Sequence, residues 1–261
     1  MSKDRINILA VGDVVGMAAA RYLQGKLNKI REALGIDLVI VNGENSADGN
    51  GILPQSAQAI FDAGADVITG GNHSFRRREV YTYLDDTRYC IRPANMPGAA
   101  PGQGYTIIDS DGIRVLVINL LGTMFLDPIE SPFACADRIL ENQKGKYDIA
   151  VVDFHAEATS EKAALARYLD GRVSVLFGTH THVPTADARI LSNGTGFITD
   201  LGMTGPADSI LGVKSDIVIN KFLTHMPVRF DQAQGEIVGA GAVFALDKQS
   251  GKCISVERID F

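Results

Sequence analysis

Apolar positions along this chain fall into two alternating patterns, short continuous runs and runs spaced three or four residues apart. Ile6-Asn7-Ile8-Leu9-Ala10-Val11 is of the first kind and reads as a buried strand ending at Gly12-Asp13. From Met17 to Leu34 the spacing changes, and Leu23, Leu27, Ile30 and Leu34 fall on one face of a predicted helix. Asp37–Val41 predicts a second strand, ending at Asn42-Gly43-Glu44-Asn45, with a Gly-rich loop after it. The next helix begins at Pro54, a residue suited to a first turn, and stops at Ala63-Gly64. Val67–Thr69 predicts a short third strand that ends at Gly70-Gly71-Asn72-His73, and helix returns from Arg76 to Leu84. Strand and helix in strict alternation imply right-handed crossovers and a largely parallel sheet.

The second half keeps the rhythm and adds hairpins. Tyr105–Ile108 and Ile113–Ile118 flank the turn Asp109-Ser110-Asp111-Gly112. Pro132–Asn142 predicts a helix. Ile149–Val152 is a strand leading into Asp153-Phe154-His155, and Thr159–Leu169 is a helix with Gly171 as its stop. Val173–Phe177 is a strand that delivers Gly178-Thr179-His180-Thr181-His182. A hairpin is expected over Arg189–Asp200, a Gly- and Pro-punctuated loop over Leu201–Gly212 and a short helix over Ile217–Leu223. Antiparallel strands follow from Val228, with turns at Gln234-Gly235 and Gln249-Ser250-Gly251. One sheet of so many strands would be very wide, so the expected fold is α/β, a two-sheet β-sandwich flanked by helices, with residues 1–261 as a single domain.

Composition changes this picture little. Hydrophobic content of 46% and charged content of 21% are those of a globular protein. A net charge of −6 argues against duplex nucleic acid as a partner, although a bound divalent ion can reverse the field locally. Cys90, Cys135 and Cys253 are far apart and odd in number, which fits a reducing, cytoplasmic setting better than a disulfide framework. The first apolar run is too short for a signal peptide, and no run approaches the ~18 residues of a membrane span. Asn193-Gly194-Thr195 matches a glycosylation sequon and reads as a turn.

The candidate chemistry lies at the strand ends, where open α/β sheets bind ligands. Five predicted strand ends carry Asp13, Glu44-Asn45, Asn72-His73, His155 and the pair His180/His182; only His225 of the five histidines lies elsewhere. On an extended segment, residues i and i+2 point the same way, so His180 and His182 would form half of a metal site. The mixed nitrogen and oxygen donors suit Fe, Mn, Zn, Co or Ni. Asp13, Glu44, Asn45, Asn72, His155, His180 and His182 are too many for one tetrahedral ion, and fit two ions roughly 3.5–4 Å apart that grip a phosphate ester.

In order and type, Gly12-Asp13, Gly43-Glu44-Asn45, Gly71-Asn72-His73, His155 and Gly178-Thr179-His180-Thr181-His182 resemble the calcineurin-like metallophosphoesterases. The longer blocks Gly12–Gly16, Val41–Asn45, Arg92–Asn95, Asp153–Ser160 and Thr199–Pro206 resemble the YmdB-like branch of that family along nearly the whole chain. The resemblance implies a four-layer α/β/β/α fold and a dinuclear phosphodiesterase that hydrolyses 2′,3′-cyclic or 3′,5′-cyclic nucleotides by metal-bound hydroxide, with Fe or Mn preferred and Zn an alternative. It implies Asp13, Glu44, Asn45 and His182 on one ion, and Glu44, Asn72, His155 and His180 on the other, with Glu44 bridging. His73 would remain unbound and protonate the leaving alkoxide. Val15 stands where the broader family has a histidine ligand, and Glu44 where it has a bridging aspartate; relatives also carry Trp-Asp where Phe75-Arg76 follows Ser74.

Other residues are candidates for substrate contact: Arg92 and Asn95 of the Pro-rich loop, and Thr204 of the Met203–Gly212 loop, which could close over a substrate. Arg76-Arg77-Arg78 reads as the solvated first turn of a helix, with phosphate steering as the alternative. Positive charge there opposes the helix dipole and calls for anionic partners. Two competing functions use the same residues, a phosphomonoesterase or nucleotidase and a regulatory interaction protein with a structural metal site. A homo-oligomer is compatible with either.

Overall fold

The computed structural model describes residues 4–261. In chain order its elements are β1 (Arg5–Val11), β2 (Asp13–Val14), α1 (Gly16–Gln24), α2 (Leu27–Leu34), β3 (Leu38–Asn42), α3 (Pro54–Asp62), β4 (Val67–Thr69) and α4 (Val80–Asp86). There follow β5 (Tyr105–Ser110), β6 (Ile113–Leu121), α5 (Pro132–Asn142), β7 (Ile149–His155), α6 (Thr159–Leu169) and β8 (Val175–Thr179). The chain ends with β9 (Arg189–Ile190), β10 (Gly196–Ile198), β11 (Met203–Pro206), α7 (Ser215–Thr224), β12 (Ile237–Val238), β13 (Ala240–Asp247) and β14 (Cys253–Asp260).

Among the described residues these strands form a five-stranded sheet in the order β14-β13-β1-β3-β4 and a six-stranded sheet in the order β5-β6-β7-β8-β10-β9. A small third sheet, β12-β11-β2, sits at the edge. The pleat explains the layers. Ile6, Ile8, Ala10, Leu38 and Ile40 of one sheet face Val115, Val117, Val151, Val175 and Phe177 of the other, and form the core between them. The alternate residues Leu9, Val11, Val39 and Val41 turn outward onto Leu23 of α1 and Ile60 of α3. Leu116, Ile118, Val152 and Leu176 turn outward onto Ile139 of α5 and Leu165 of α6. Central strands buried on both faces read as unbroken apolar runs, which is why they are visible in the sequence. The layers run helix, sheet, sheet, helix, as expected.

Several local expectations are corrected. The single helix over Met17–Leu34 is two helices, α1 and α2, separated at Gly25-Lys26; glycine is a poor helix former, and apolar spacing does not register the break. Helix α4 begins at Val80, so Arg76-Arg77-Arg78 precede it and are not its first turn. Arg77 instead donates from Nε to the Asn50 carbonyl and from Nη2 to the Asp48 carbonyl, which holds the 48–51 loop. The Leu201–Gly212 loop contains β11, parallel to β2. The strand after Gln234-Gly235, β12, pairs with β11 and makes no local hairpin.

The parallel crossovers bring the carboxyl ends of β3, β4, β7 and β8 together. No helix among the described residues is long and apolar enough to cross a membrane. Cys90, Cys135 and Cys253 are free and buried, and burial pushes their thiols up to about 12, 11 and 12. The folded protein should therefore give almost no thiol colour with Ellman's reagent at pH 8 and three thiols per chain once unfolded in guanidinium. Rapid titration of even one thiol in the native protein would contradict this packing.

Candidate metal centre and active site

The floor of the site is a buried carboxylate. Asp153, two residues before the end of β7, accepts hydrogen bonds from Thr69 Oγ1 at 2.5 Å, Asn42 Nδ2 at 2.9 Å and Thr179 Oγ1 at 2.7 Å. These donors close β4, β3 and β8, so one side chain ties the ends of four strands across both sheets. Burial pushes the Asp153 carboxyl up to about 6, against the lowering influence of His155 and of the three donors. Asn119 of β6 adds a tie, accepting at Oδ1 from the Gly70 N–H at 3.1 Å.

The tie also fixes the histidines. Thr179 spends its hydroxyl proton on Asp153, so its oxygen accepts from the Nδ1–H of His155 at 2.9 Å. The lone pair of His155 Nε2 then points into the site. Glu157 takes the Nε2–H of His180 at 2.9 Å, which leaves His180 Nδ1 as a lone pair. The Leu211 carbonyl takes the Nδ1–H of His182 at 3.1 Å, which leaves its Nε2 facing Asp13 Oδ1 at 3.8 Å. Such outward hydrogen bonds set the tautomer of metal-binding imidazoles.

These lone pairs meet one another. His155 Nε2 lies 3.0 Å from Asn72 Oδ1, 3.1 Å from His180 Nδ1 and 3.3 Å from Glu44 Oε1. A single proton can serve only one of those contacts. Asp13 Oδ1 is buried with no hydrogen-bond partner among the described residues, an arrangement native interiors avoid. Glu44, His155 and His180 bring three donor atoms within 4.8 Å of one another, and so do Asp13, Glu44 and His182. Glu44 belongs to both groups, and a cation at each would satisfy every orphaned lone pair, so the donor set fits divalent metal. Gly71 is required by this crowding: a Cβ there would lie 2.4 Å from both Glu44 Oε2 and His155 Nε2.

Electrostatics agree. Burial raises the pKa of Asp13. Burial would raise Glu44 too, but His155 and His73 hold it well below the usual carboxylate range. Burial would lower His155, yet Glu44, Asp13 and Asp153 carry it up to about 9. Burial, reinforced by His155, pushes His180 down to about 3. The cluster is a negative field with a proton where a cation fits.

Asp13, Glu44, Asn45, Asn72, His73, His155, His180 and His182 are thus brought together, with two surprises. His180 and His182 do not continue the strand, since both have left-handed φ values of 100° and 63°; they reach the site because their turn is held, not because strand pleating aligns them. Asn45 turns Nδ2 to Glu44 Oε1 at 2.6 Å and Oδ1 to His73 Nδ1 at 2.9 Å, so it offers the cluster donors in place of a lone pair. Three other candidates lie outside. Arg92 donates to the Pro93 and Ala100 carbonyls, and Asn95 ties Leu121 to Glu130, so both brace the Pro-rich loop. Thr204 is buried in β11. Of its loop, only Leu211 and Gly212 reach the cavity.

Sequence reasoning missed the supports. Lys162 and Asp200 form a buried ion pair at 2.6 Å, and Asp200 also accepts from the Thr181 N–H and hydroxyl at 3.2 and 2.8 Å. That pair holds the turn carrying His180 and His182. The cavity above the cluster, about 390 Å³, has Leu211, Val213 and Phe230 among its apolar walls and Asn50 and Gln232 among its polar ones, the size of a small-molecule site.

The family model for the YmdB-like protein matches residues 9–259. The chain belongs to the YmdB-like family. A Bacillus subtilis (strain 168) relative, a 2′,3′-cyclic-nucleotide 2′-phosphodiesterase, is 43% identical over 254 residues, covering 97% of this chain and 96% of its own. A crystal structure from Mycoplasma pneumoniae described as a novel phosphatase superposes with a TM-score of 0.93 at 32% identity, covering 98% of this chain and 93% of its own. One of a hypothetical protein from Thermus thermophilus gives a TM-score of 0.92 at 39% identity, covering 98% and 99%. By membership this YmdB-like protein is a metal-dependent phosphoesterase.

Removing Asp200 leaves the Lys162 ammonium buried and unpaired. Asp200→Ala should cost about 3–5 kcal/mol in urea unfolding. A loss under about 1 kcal/mol, typical of an exposed pair, would show that the pair does not hold the turn.

Proposed function

We propose that this YmdB-like protein hydrolyses nucleoside 2′,3′-cyclic phosphates, and 3′,5′-cyclic phosphates as a second substrate, with two divalent transition-metal ions per chain. The observation that carries the reading is the sharing of Glu44 between two donor groups whose facing nitrogen and oxygen atoms outnumber the protons available to join them. The B. subtilis relative points to the cyclic diester as substrate. Asp13, Glu44, Asn45 and His182 would hold one ion, and Glu44, Asn72, His155 and His180 the other. Exchanging the two ends of the Asn45 amide would turn its oxygen to the cluster. The donors are nitrogen and oxygen with no thiolate among them, which favours Fe or Mn, with Zn as an alternative. When bound, such ions supply Lewis acidity toward phosphoryl oxygens and a strong nucleophile at neutral pH.

The chain's own residues do the rest. In the reaction a water oxygen bonds to phosphorus, the bond from phosphorus to O2′ breaks, and a proton goes to O2′, which leaves a 3′-monophosphate. His73 is the residue placed to give that proton. Its ring lines the cavity, Nδ1 is engaged with Asn45, and Nε2 has no partner among the described residues. It belongs to neither donor group. Asn45 therefore couples acid and centre: it orients the His73 ring from one end of its amide and touches Glu44 with the other. A phosphomonoesterase reading has one observation in its favour, the M. pneumoniae neighbour described as a phosphatase. Parallel turnover of bis-p-nitrophenyl phosphate and the monoester with added Mn²⁺ separates the two, and turnover of the monoester alone would overturn the diester reading.

Elemental analysis after mild purification should find about two transition-metal ions per chain. Glu44→Gln should lose both, and Asp13→Asn mainly one. A wild-type content of one or less, unchanged on adding Mn²⁺ or Fe²⁺, would defeat the dinuclear centre.

His73→Ala should keep both ions while kcat on a cyclic nucleotide falls by roughly 10²–10⁴. The loss should shrink on bis-p-nitrophenyl phosphate, whose leaving group needs little protonation. Loss of an ion, or equal losses on both substrates, would remove His73 from the acid role.

A further inference from the structure

Beside the active-site cavity lies a larger one of about 1,030 Å³, and the two share Gly49, Asn50, Phe230, Asp231 and Gln232 as walls. Four arginines line the second cavity: Arg21, Arg76, Arg77 and Arg229. Arg77 is spent on the loop that divides the two cavities, through its bonds to the Asp48 and Asn50 carbonyls. Arg21, Arg76 and Arg229 are exposed and take part in none of the ion pairs or side-chain hydrogen bonds among the described residues. The two carboxylates on the same walls are occupied. Asp48 accepts from the Met17 N–H at 3.1 Å, and Asp231 faces Lys214 at 3.7 Å. In a chain of net charge −6, this is a concave positive surface next to the site, separated from it by shared walls.

We propose that the groove lined by Arg21, Arg76 and Arg229 binds the phosphodiester backbone of a single-stranded RNA whose 3′ end carries the cyclic phosphate, so that the substrate class extends from mononucleotides to RNA ends. The inference rests on the cyclic phosphodiesterase reading. A 2′,3′-cyclic phosphate uses both hydroxyls of its ribose, so further nucleotides attach only through the 5′ oxygen and leave the site in one direction. Each adds one anion, and guanidinium groups match phosphate oxygens in pairs. Phe230, half-exposed on the shared wall with Lys221 Nζ 4.7 Å from its ring centroid, offers the rest of its aromatic surface to a base at the boundary. Recognition of this kind is independent of sequence and sensitive to salt.

The test uses two fluorescein-labelled probes that are not turned over, a tetranucleotide and a mononucleotide, each ending in a 3′-phosphate. Anisotropy should show the tetranucleotide binding at least about ten-fold tighter at 50 mM NaCl. With three phosphate contacts and a single-strand slope of about −0.7 per contact, its affinity should fall about 20-fold by 200 mM. Substituting Ala for Arg21, Arg76 and Arg229 together should bring the ratio of the two affinities close to one; these exposed side chains have no partners among the described residues whose loss would unfold the chain. In turnover, a tetranucleotide ending in a 2′,3′-cyclic phosphate should exceed the cyclic mononucleotide in kcat/KM, through KM. Equal affinities in the wild type, or a preference retained by the triple variant, would overturn the groove. If the metal-loaded wild type fails to hydrolyse any cyclic phosphate, the catalytic reading falls, and that failure appears in the turnover assay alone.

Discussion

A carboxylate in an apolar interior is tolerable only when its oxygens are met by donors, and Asp153 meets that requirement with side chains from three other strands. Asn42, Thr69 and Thr179 each end an apolar run, and each gives Asp153 a hydrogen bond. The consequence is geometric. β3 and β4 belong to one sheet, β7 and β8 to the other, and this knot joins the two where the strands stop. Everything above it inherits that register. Glu44 follows Asn42 by two residues, His155 follows Asp153 by two, and His180 follows Thr179 directly.

The same knot explains how a cluster of mutually facing lone pairs is held. The contact of the His155 and His180 rings, Nε2 to Nδ1 at 3.1 Å, competes with Glu44 and Asn72 for a single proton and so does little to hold the two rings. Their positions are set from outside: by Thr179 for His155, by Glu157 for His180, by the Leu211 carbonyl for His182. The turn bearing the last two histidines has left-handed backbone at both, a conformation that costs free energy for residues other than glycine. Asp200 compensates by gathering the Thr181 N–H, the Thr181 hydroxyl and the buried Lys162 ammonium. Strain at the site is thus offset by an ion pair behind it.

The sequence carried the fold because its strands are buried on both faces, so that continuous apolar runs stop abruptly at polar residues. It carried the donor set for the same reason: Asp13, Glu44, Asn72 and His155 stand where such runs end. It did not carry features decided by distant partners. Lys162 reads as an ordinary charged helix position, and only the fold brings Asp200 to it from 38 residues away. Arg77 looked like part of a charged first turn because its partners are backbone carbonyls, which have no signature in sequence. Arg92, Asn95 and Thr204 looked like site residues because they fall within shared motifs, yet their motifs brace loops and the β11 edge. Phe230 and Gln232 fall in a segment expected to be strand from Val228, but that segment has no strand before β12 at Ile237, and their place on the cavity wall follows from its irregular packing.

The opposite shifts within the cluster show what the donor set suits. His155 is carried up to about 9 while His180, its neighbour, is pushed down to about 3. Without metal, therefore, one proton sits between Glu44 and His155, and His180 is neutral. That proton relieves one contact of His155 and leaves Asp13 Oδ1 without a partner among the described residues. A divalent ion in each donor group would relieve all of them, and its binding free energy would add directly to the stability of the fold, because the unfolded chain has no such cluster. The Asp153 knot keeps the donors in place for that ion by a means independent of it. Its donors are hydroxyl and amide groups, which do not titrate near neutrality, so the frame responds to pH only through the Asp153 carboxyl itself, which burial pushes up to about 6.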